Sequence, residues 1–453
     1  MCLTRQVLIK YPIVCSGGFN ESPSRYIGAL SQHMAESEKT MKKRVGIVGG
    51  GAAGMMAAIT AAGQGAAVTI LEGNDRVGKK LLTTGNGKCN LGNRNLTLEA
   101  YYTENPQRLQ DCLKRFGTEE TLSFFEGLGL LVKEKNGYLY PACEQASAVL
   151  DVLRFELSAL GIGIITGCRV KQILSGQIGG EITVKSGNQS FCFDSVVIAC
   201  GGKAAPKTGS DGSGFQLAEQ IGHKLLPSVP ALVQLKCSEP YLKAVSGVRA
   251  EAFIRVVQGE ECIACERGEL QLTDYGISGI PVFQVSRQVN YILRKQKEVE
   301  VRLDFLPDYG REEYEALQTG RKQLQKGRTV EEFFTGMLHK KLMLLFIKTA
   351  GLKPGEPAET ADAEKIKTVY RLCREWKLHV HGHNSFDNAQ VCAGGVPLDQ
   401  VTENLESRKA PGIFFAGEIL DVDGKCGGYN LQWAWCSGYL AGNAAAGNFS
   451  RKL

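Results

Sequence analysis

Three glycines and one acid carry the clearest chemistry in this chain. Gly49, Gly51 and Gly54 have the GxGxxG spacing, and Glu72 follows at the end of the next apolar stretch. A tight turn at Gly49, close backbone approach at Gly51 and close helix packing at Gly54 would cradle a pyrophosphate. Ala52 and Ala53 begin the helix whose free N–H groups would meet the phosphates. A carboxylate at position 72 accepts hydrogen bonds from ribose hydroxyls and repels a 2′-phosphate, which favours FAD or NAD over NADP.

Those residues need particular elements to hold them. "RVGIV" is apolar and β-branched, as a buried parallel strand requires. A small-residue helix and a second strand, "AAVTILE", complete a βαβ unit. The chain holds no second complete strand–GxGxxG–helix–strand–acid unit. That favours a resident FAD over a visiting nicotinamide nucleotide.

A resident flavin needs further contacts. "RVGKKLLTTGNGKCNLGN" offers Arg76 and Lys80 to phosphate charge and Gly85 and Gly87 for close approach. "PGIFFAGEILDVDGKCGGYNLQWAWCSGYLAGNAAAG" reads as a strand, a Gly427–Gly428 turn and an apolar helix from about Asn430. A helix N-terminus there suits the negative charge that a reduced flavin gains at its N1–C2=O edge. "DSVVIACGG" places Gly201 and Gly202 after a buried strand beneath the cofactor.

With "TTGNGKCNLGN", "QLTDYGISGIPV", "FDNAQVCAGGV" and "FFAGEILDVDGKCGGYNLQWAWCSGYLAG" in view, the chain resembles the FAD-dependent oxidoreductases that include BaiN, YhiN and the aminoacetone oxidases. The resemblance spans Lys43 to Gly447. It implies a discontinuous Rossmann-like FAD-binding domain, α/β in class, with an inserted β-barrel and helical domain over the flavin. It places the loop Gly85–Asn90, with Lys88 and Cys89, near the isoalloxazine. Val170 then offers its backbone to the adenine. Gly417, Glu418 and Asp421 line the ribitol and pyrophosphate, and Gly428, Tyr429, Asn430 and Leu431 approach the pyrimidine edge. Lys88 stands where arginine is common in the family, Asp274 where histidine is, and Cys392 where threonine is.

Residues 1–40 read as a loosely ordered extension, 41–232 as the first part of the FAD domain, 233–376 as the insert and 377–453 as the return. The insert begins with short alternating strands, as in a small barrel or sandwich, and continues with helical stretches. Thr329 and Glu332 have capping-box spacing.

Other constellations read as structure. "HVHGH" puts three histidines on one strand face, with no further ligand to complete a metal set. Cys262 and Cys265 form a CxxC on a hairpin, not at a helix start. Trp433 and Trp435 cannot share a helix face, so one should pack inward and the other rim the cleft.

The 15 cysteines are odd in number and irregularly spaced, which points to reduced thiols in a cytoplasm. A net charge of +6 without a basic, aromatic-laced stripe argues against nucleic acid. No apolar run reaches the ~20 residues of a membrane span. The expected activity is reduction of a conjugated C=C in a small apolar enone, with NADH or NADPH as transient reductant. One branch of the resembled family is assigned to 3-dehydro-4-ene and 4,6-diene bile acids. Oxidation of a small amine such as aminoacetone, or a non-catalytic flavin sensor, are the alternatives. Tyr429, Cys89 and Tyr275 are the candidate proton partners, and the oligomeric state stays open.

Overall fold

The computed structural model describes residues 42–175 and 180–447. The expected extension at 1–40 lies outside the described residues. The chain opens with β1 (Arg44–Val48), α1 (Ala52–Gly63) and β2 (Ala67–Leu71). Helix α2 (Ala146–Ala159), β3 (Gly163–Ile165) and β4 (Ser195–Ile198) follow. The insert contributes β5 (Leu235–Cys237), β6 (Arg249–Gln258), β7 (Glu261–Leu272), β8 (Gly276–Gly279), α3 (Ile280–Leu293), β9 (Val299–Asp304) and β10 (Trp376–His383). The chain then returns through β11 (Ile413–Phe415), β12 (Asp423–Gly424) and α4 (Tyr429–Ala446).

Strands β11, β4, β1, β2 and β3 make one parallel sheet in that order. β1 lies at its centre, and four of its five residues are buried. A strand covered on both faces needs a continuous apolar run, which "RVGIV" supplies. α1 is apolar all round because it is buried from Ala53 to Ala61, between the sheet and α4. Gly438 and Gly442 of α4 allow that approach. A Cβ on them would lie 2.5 Å from the Ala53 carbonyl oxygen and 2.4 Å from that of Ala57.

The insert is a closed antiparallel barrel, ordered β5-β8-β7-β6-β9-β10, with a second core of its own. β10 pairs with both β5 and β9 and so closes the barrel. The boundary expected at residue 377 therefore falls inside a barrel strand, and the barrel runs on to His383. Trp376, Leu378 and Val380 are buried, while His379 and His381 alternate outward. His379 Nδ1 sits 2.9 Å from Glu239 Oε1.

Thr329 caps a helix as its spacing predicts: its hydroxyl accepts from Glu332 N at 3.3 Å, and Glu332 accepts from Thr329 N at 2.8 Å. That helix is short, Val330–Phe334, and a separate one runs Lys340–Thr349. Gly336, at φ +88°, interrupts what reads in the sequence as one long helix. Among the described residues, no helix is long and apolar enough to cross a membrane.

Candidate functional site

The glycine turn has the geometry its spacing requires. Gly49 holds φ +103°, and a Cβ there would lie 2.6 Å from the Ala199 carbonyl oxygen. A Cβ on Gly54 would lie 1.9 Å from the Gly49 carbonyl oxygen, so this glycine sets how closely α1 meets the turn. Gly51 is different. Its backbone is extended (φ −80°, ψ −170°) and a Cβ would meet nothing within 4 Å. It faces open space at the start of α1, where a phosphate would approach N–H groups.

Glu72 is buried and oriented from both sides. Gly50 N donates to one carboxylate oxygen at 2.7 Å, and the other accepts from Asn74 N at 2.7 Å and Asn74 Nδ2 at 2.8 Å. Oε2, with the single donor Gly50 N, keeps a further lone pair, as ribose binding would need. Val170 borders the same end of the cavity.

The other end is built from the loop 81–90 and the N-terminus of α4. The loop uses left-handed backbone at Gly85, Asn86 and Gly87. Asn90 ties the loop to the helix: its amide donates to the carbonyls of Leu139 and Gly92 and accepts from Gly428 N at 3.2 Å. Gly428 itself has φ +92°, and a Cβ would lie 2.5 Å from the Gly92 carbonyl oxygen. An 18-residue helix thus points its positive end along this wall. Beneath it, Trp433 Nε1 donates to Gly417 O at 3.2 Å, and Gly417 N donates to Ser437 Oγ at 2.8 Å.

Between the two ends lies one continuous cavity of about 830 Å³. Glu418 braces its middle, accepting from Lys80 Nζ at 2.7 Å and Cys392 N at 2.6 Å. Leu232, Ile280, Phe283 and Val391 border its apolar side. Ile280 and Phe283 come from the first turns of α3, directly after barrel strand β8. The cavity is elongated between a ribose-type acid and a second helix N-terminus, which fits a dinucleotide with room for a reactant beside it.

The structure brings most of the anticipated cofactor residues to this cavity. Gly49, Gly51, Ala52, Ala53 and Glu72 border the first end. Lys80, Gly85, Asn90, Val170 and Gly201 border it as well. Gly417, Glu418, Gly428, Asn430 and Leu431 complete it.

Other anticipated residues stand elsewhere, and each has a physical reason. Gly54 faces the turn, not the cavity. Gly202 is a packing glycine, since a Cβ would lie 2.8 Å from Cys392 Cβ. Arg76 and Gly87 are exposed, and Lys88 pairs with Glu144 at 2.6 Å. Asp421 borders a second, smaller cavity, because the neighbouring Val422 takes the side facing the large one.

The three expected proton partners also lie off the cavity wall. Cys89 is fully buried, and burial pushes its thiol up to about 12. The Tyr429 hydroxyl donates to Asn95 O at 3.2 Å, leaving only its backbone side of the turn near the cavity. Tyr275 is on the barrel surface, and its hydroxyl accepts from Asn384 Nδ2 at 3.2 Å. The tryptophans divide as expected: Trp433 borders the cavity, and Trp435 packs inward, edge-on to Phe125 with Nε1 donating to Leu91 O at 3.0 Å; both are buried.

Sequence reasoning missed Leu232, Ile280 and Phe283. The signal was present in the GISGIPVF run, where a strand passes directly into an apolar helix. Cys426 is the wall thiol beside the Gly427–Gly428 turn. It packs, as Phe283 does, against the cluster that holds Leu232, its N–H donates to Gln284 Oε1 at 2.9 Å, and burial pushes its thiol up to about 12.

Comparison with known proteins agrees with this architecture. Residues 43–444 match the family described as HI0933-like protein Rossmann domain. The chain is 46% identical over 409 residues to the 3-dehydro-bile acid delta(4,6)-reductase of Clostridium scindens, covering 89% of this chain and 99% of that one. It is 30% identical to the ribosomal RNA dihydrouridine synthase of Haemophilus influenzae, covering 87% and 96%. It is 27% identical to the Escherichia coli protein of the same description, covering 87% and 95%. A match across nearly the whole described fold is decisive: the chain belongs to the HI0933-like Rossmann family.

Proposed function

We propose that this protein is an FAD-dependent reductase of a C=C bond conjugated to a carbonyl, acting on 3-dehydro-4-ene or 4,6-diene bile acid intermediates. The observation that carries the reading is 46% identity over 99% of the bile acid reductase. The cavity supports it. The open space at Gly51, the oriented carboxylate of Glu72 and the α4 N-terminus at Gly428 form a cradle that FAD fits. When bound and reduced by NADH or NADPH, the flavin supplies hydride for the alkene.

The chain's own residues supply position, a dry wall and a proton. Leu232, Ile280 and Phe283 present apolar surface to a steroid ring system and exclude water from the reacting face. Hydride addition to a conjugated alkene leaves an enolate that needs a proton at carbon. Cys426 Sγ holds one at neutral pH, because burial disfavours its thiolate. It borders the cavity next to the glycine turn and, like Phe283, packs against the Leu232–Val391 cluster. The α4 N-terminus favours negative charge at the cofactor's pyrimidine edge.

The two dihydrouridine synthases support a second reading. Uridine also carries a C=C conjugated to a carbonyl, so the same machinery would serve an RNA base. Four of the five cations on the wall, all but Lys207, favour the first reading. Lys79 pairs with Asp75, Lys80 with Glu418, Arg169 with Asp211 and Lys425 with Glu266. Cations already neutralised by acids attract a polyanion weakly.

The test is anaerobic. The flavin band of the purified protein should bleach with NADH or NADPH and recover on adding a 3-oxo-4,6-diene bile acid, with the product two hydrogens heavier. Recovery only with an unmodified ribosomal RNA transcript would replace the steroid by the base. Bleaching by aminoacetone alone would identify an amine oxidase.

A further inference from the structure

A second cavity, of about 430 Å³, lies beside the bend at Asp421, next to the segment that borders the first. The chain bends at Asp421, where Val422 N donates to Leu420 O at 2.7 Å, and the two side chains leave it in different directions. Val422 accordingly borders the large cavity and Asp421 the small one. Nothing in the proposed reduction uses this second space.

Its polar groups are few and fixed. Arg287 lies between two rings, 4.6 Å from Tyr102 and 4.9 Å from Tyr291, and its Nε donates to Asp423 at 3.0 Å. That arrangement holds the guanidinium plane still and leaves its two Nη groups for a ligand. Asp421 is 1% exposed. Its Oδ2 accepts from Glu104 N at 3.0 Å, and its Oδ1 has no hydrogen-bond partner among the described residues. A buried carboxylate oxygen without a donor is costly and is relieved by a ligand that brings one. Leu98, Leu109, Leu226 and Pro227 make an apolar stretch of wall, with Thr103 and the exposed Glu104 beside it.

We propose that this cavity binds a free α-amino acid with an apolar side chain, its carboxylate on Arg287 and its ammonium on Asp421. A simple carboxylate would satisfy Arg287 but set a second anion beside Asp421. A simple amine would satisfy Asp421 but leave the Arg287 Nη groups without an acceptor. A zwitterion meets both groups, and the apolar wall receives its side chain. The volume lies within the range of small-molecule sites.

The experiment is isothermal titration of the full flavin-loaded protein with L-leucine. 4-Methylpentanoate, which lacks the amine, and 3-methylbutylamine, which lacks the carboxylate, are the controls. Saturable binding of L-leucine should be at least about tenfold tighter than that of either control. Asp421→Asn should weaken it by about tenfold or more. Leu226→Trp, which fills the cavity from its half-buried rim and leaves the polar groups intact, should abolish it. The proposal is overturned by no saturable binding of L-leucine, L-valine, L-methionine or L-phenylalanine. Equal binding of 4-methylpentanoate, or unchanged affinity in a folded Leu226→Trp, overturns it equally.

Discussion

The three glycines of the turn should respond differently to the same added methyl group. At Gly51 the backbone angles are ordinary for any residue, and a Cβ meets nothing within 4 Å. Gly51→Ala should therefore fold, at a cost of about 1 kcal/mol for a poorer helix N-cap. The methyl would project into the space that a pyrophosphate needs. Two backbone N–H bonds to a charged phosphate contribute about 1.5–3 kcal/mol each. Losing both weakens FAD by about 10²- to 10⁴-fold. At Gly54 the same methyl would lie 1.9 Å from the Gly49 carbonyl oxygen, inside any real contact. Gly54→Ala must push α1 off the turn and should cost about 3 kcal/mol or more of stability. The assay has two readouts on each variant: urea unfolding of the apoprotein by circular dichroism, and FAD titration by flavin fluorescence. A Gly51→Ala protein that is unfolded, or that binds FAD like the parent, would refute the reasoning. So would a Gly54→Ala protein as stable as the parent.

Further outcomes follow from other parts of the molecule. Cys426→Ala should slow enone reduction by about 10²-fold with flavin reduction by NADH unchanged, while Cys426→Ser keeps part of the rate; stopped-flow measurement of the two half-reactions separates them. Gly438→Val should lower the melting temperature and empty the protein of flavin, since its side chain would strike the Ala53 carbonyl oxygen and part α4 from α1. Burial raises the Asp423 carboxyl to about 7 despite the Arg287 partner. Its folded value lies above its unfolded one, so its contribution to stability is fully present below about pH 4. It is lost as pH rises through about 7. Parent stability should therefore fall between pH 5 and 8 by more than that of Asp423→Asn, as melting curves would record.

The cofactor half of the site was legible in the sequence because it is local. Gly49 to Glu72 is one βαβ unit, and its periodicity, glycines and acid all lie within a single window. The capping box at Thr329 was readable for the same reason. What escaped was set by distant pairing. The HVHGH strand resembles a return to glycine-rich sheet, yet β10 closes the barrel by pairing with β5 and β9. Asp421 sits in a motif full of anticipated cofactor residues, and only a bend in its own segment turns it away. Tyr429 opens a helix, where the backbone faces the cavity and the side chain leaves it. In each case the residue type was informative and its direction was not.

Direction also decides where specificity resides. The parallel sheet, α1, α4 and the loop 81–90 build the dinucleotide side, and Gly49, Gly54 and Gly428 there leave no room for a side chain. The reactant side rests on a few residues from one place: Leu232 at the entry to the barrel, and Ile280 and Phe283 at the start of α3. Ile280 is 62% exposed, so it shapes the mouth without supporting the core. A relative could exchange a steroid for a nucleobase by altering these positions and freeing the paired lysines, with the flavin cradle untouched. Ile280→Lys should then depress turnover of the bile acid enone through KM, leave flavin content and NADH reduction as in the parent, and raise affinity for RNA in a salt-dependent filter-binding assay. An unchanged KM would place the substrate away from the α3 wall and remove the basis for assigning specificity to the insert.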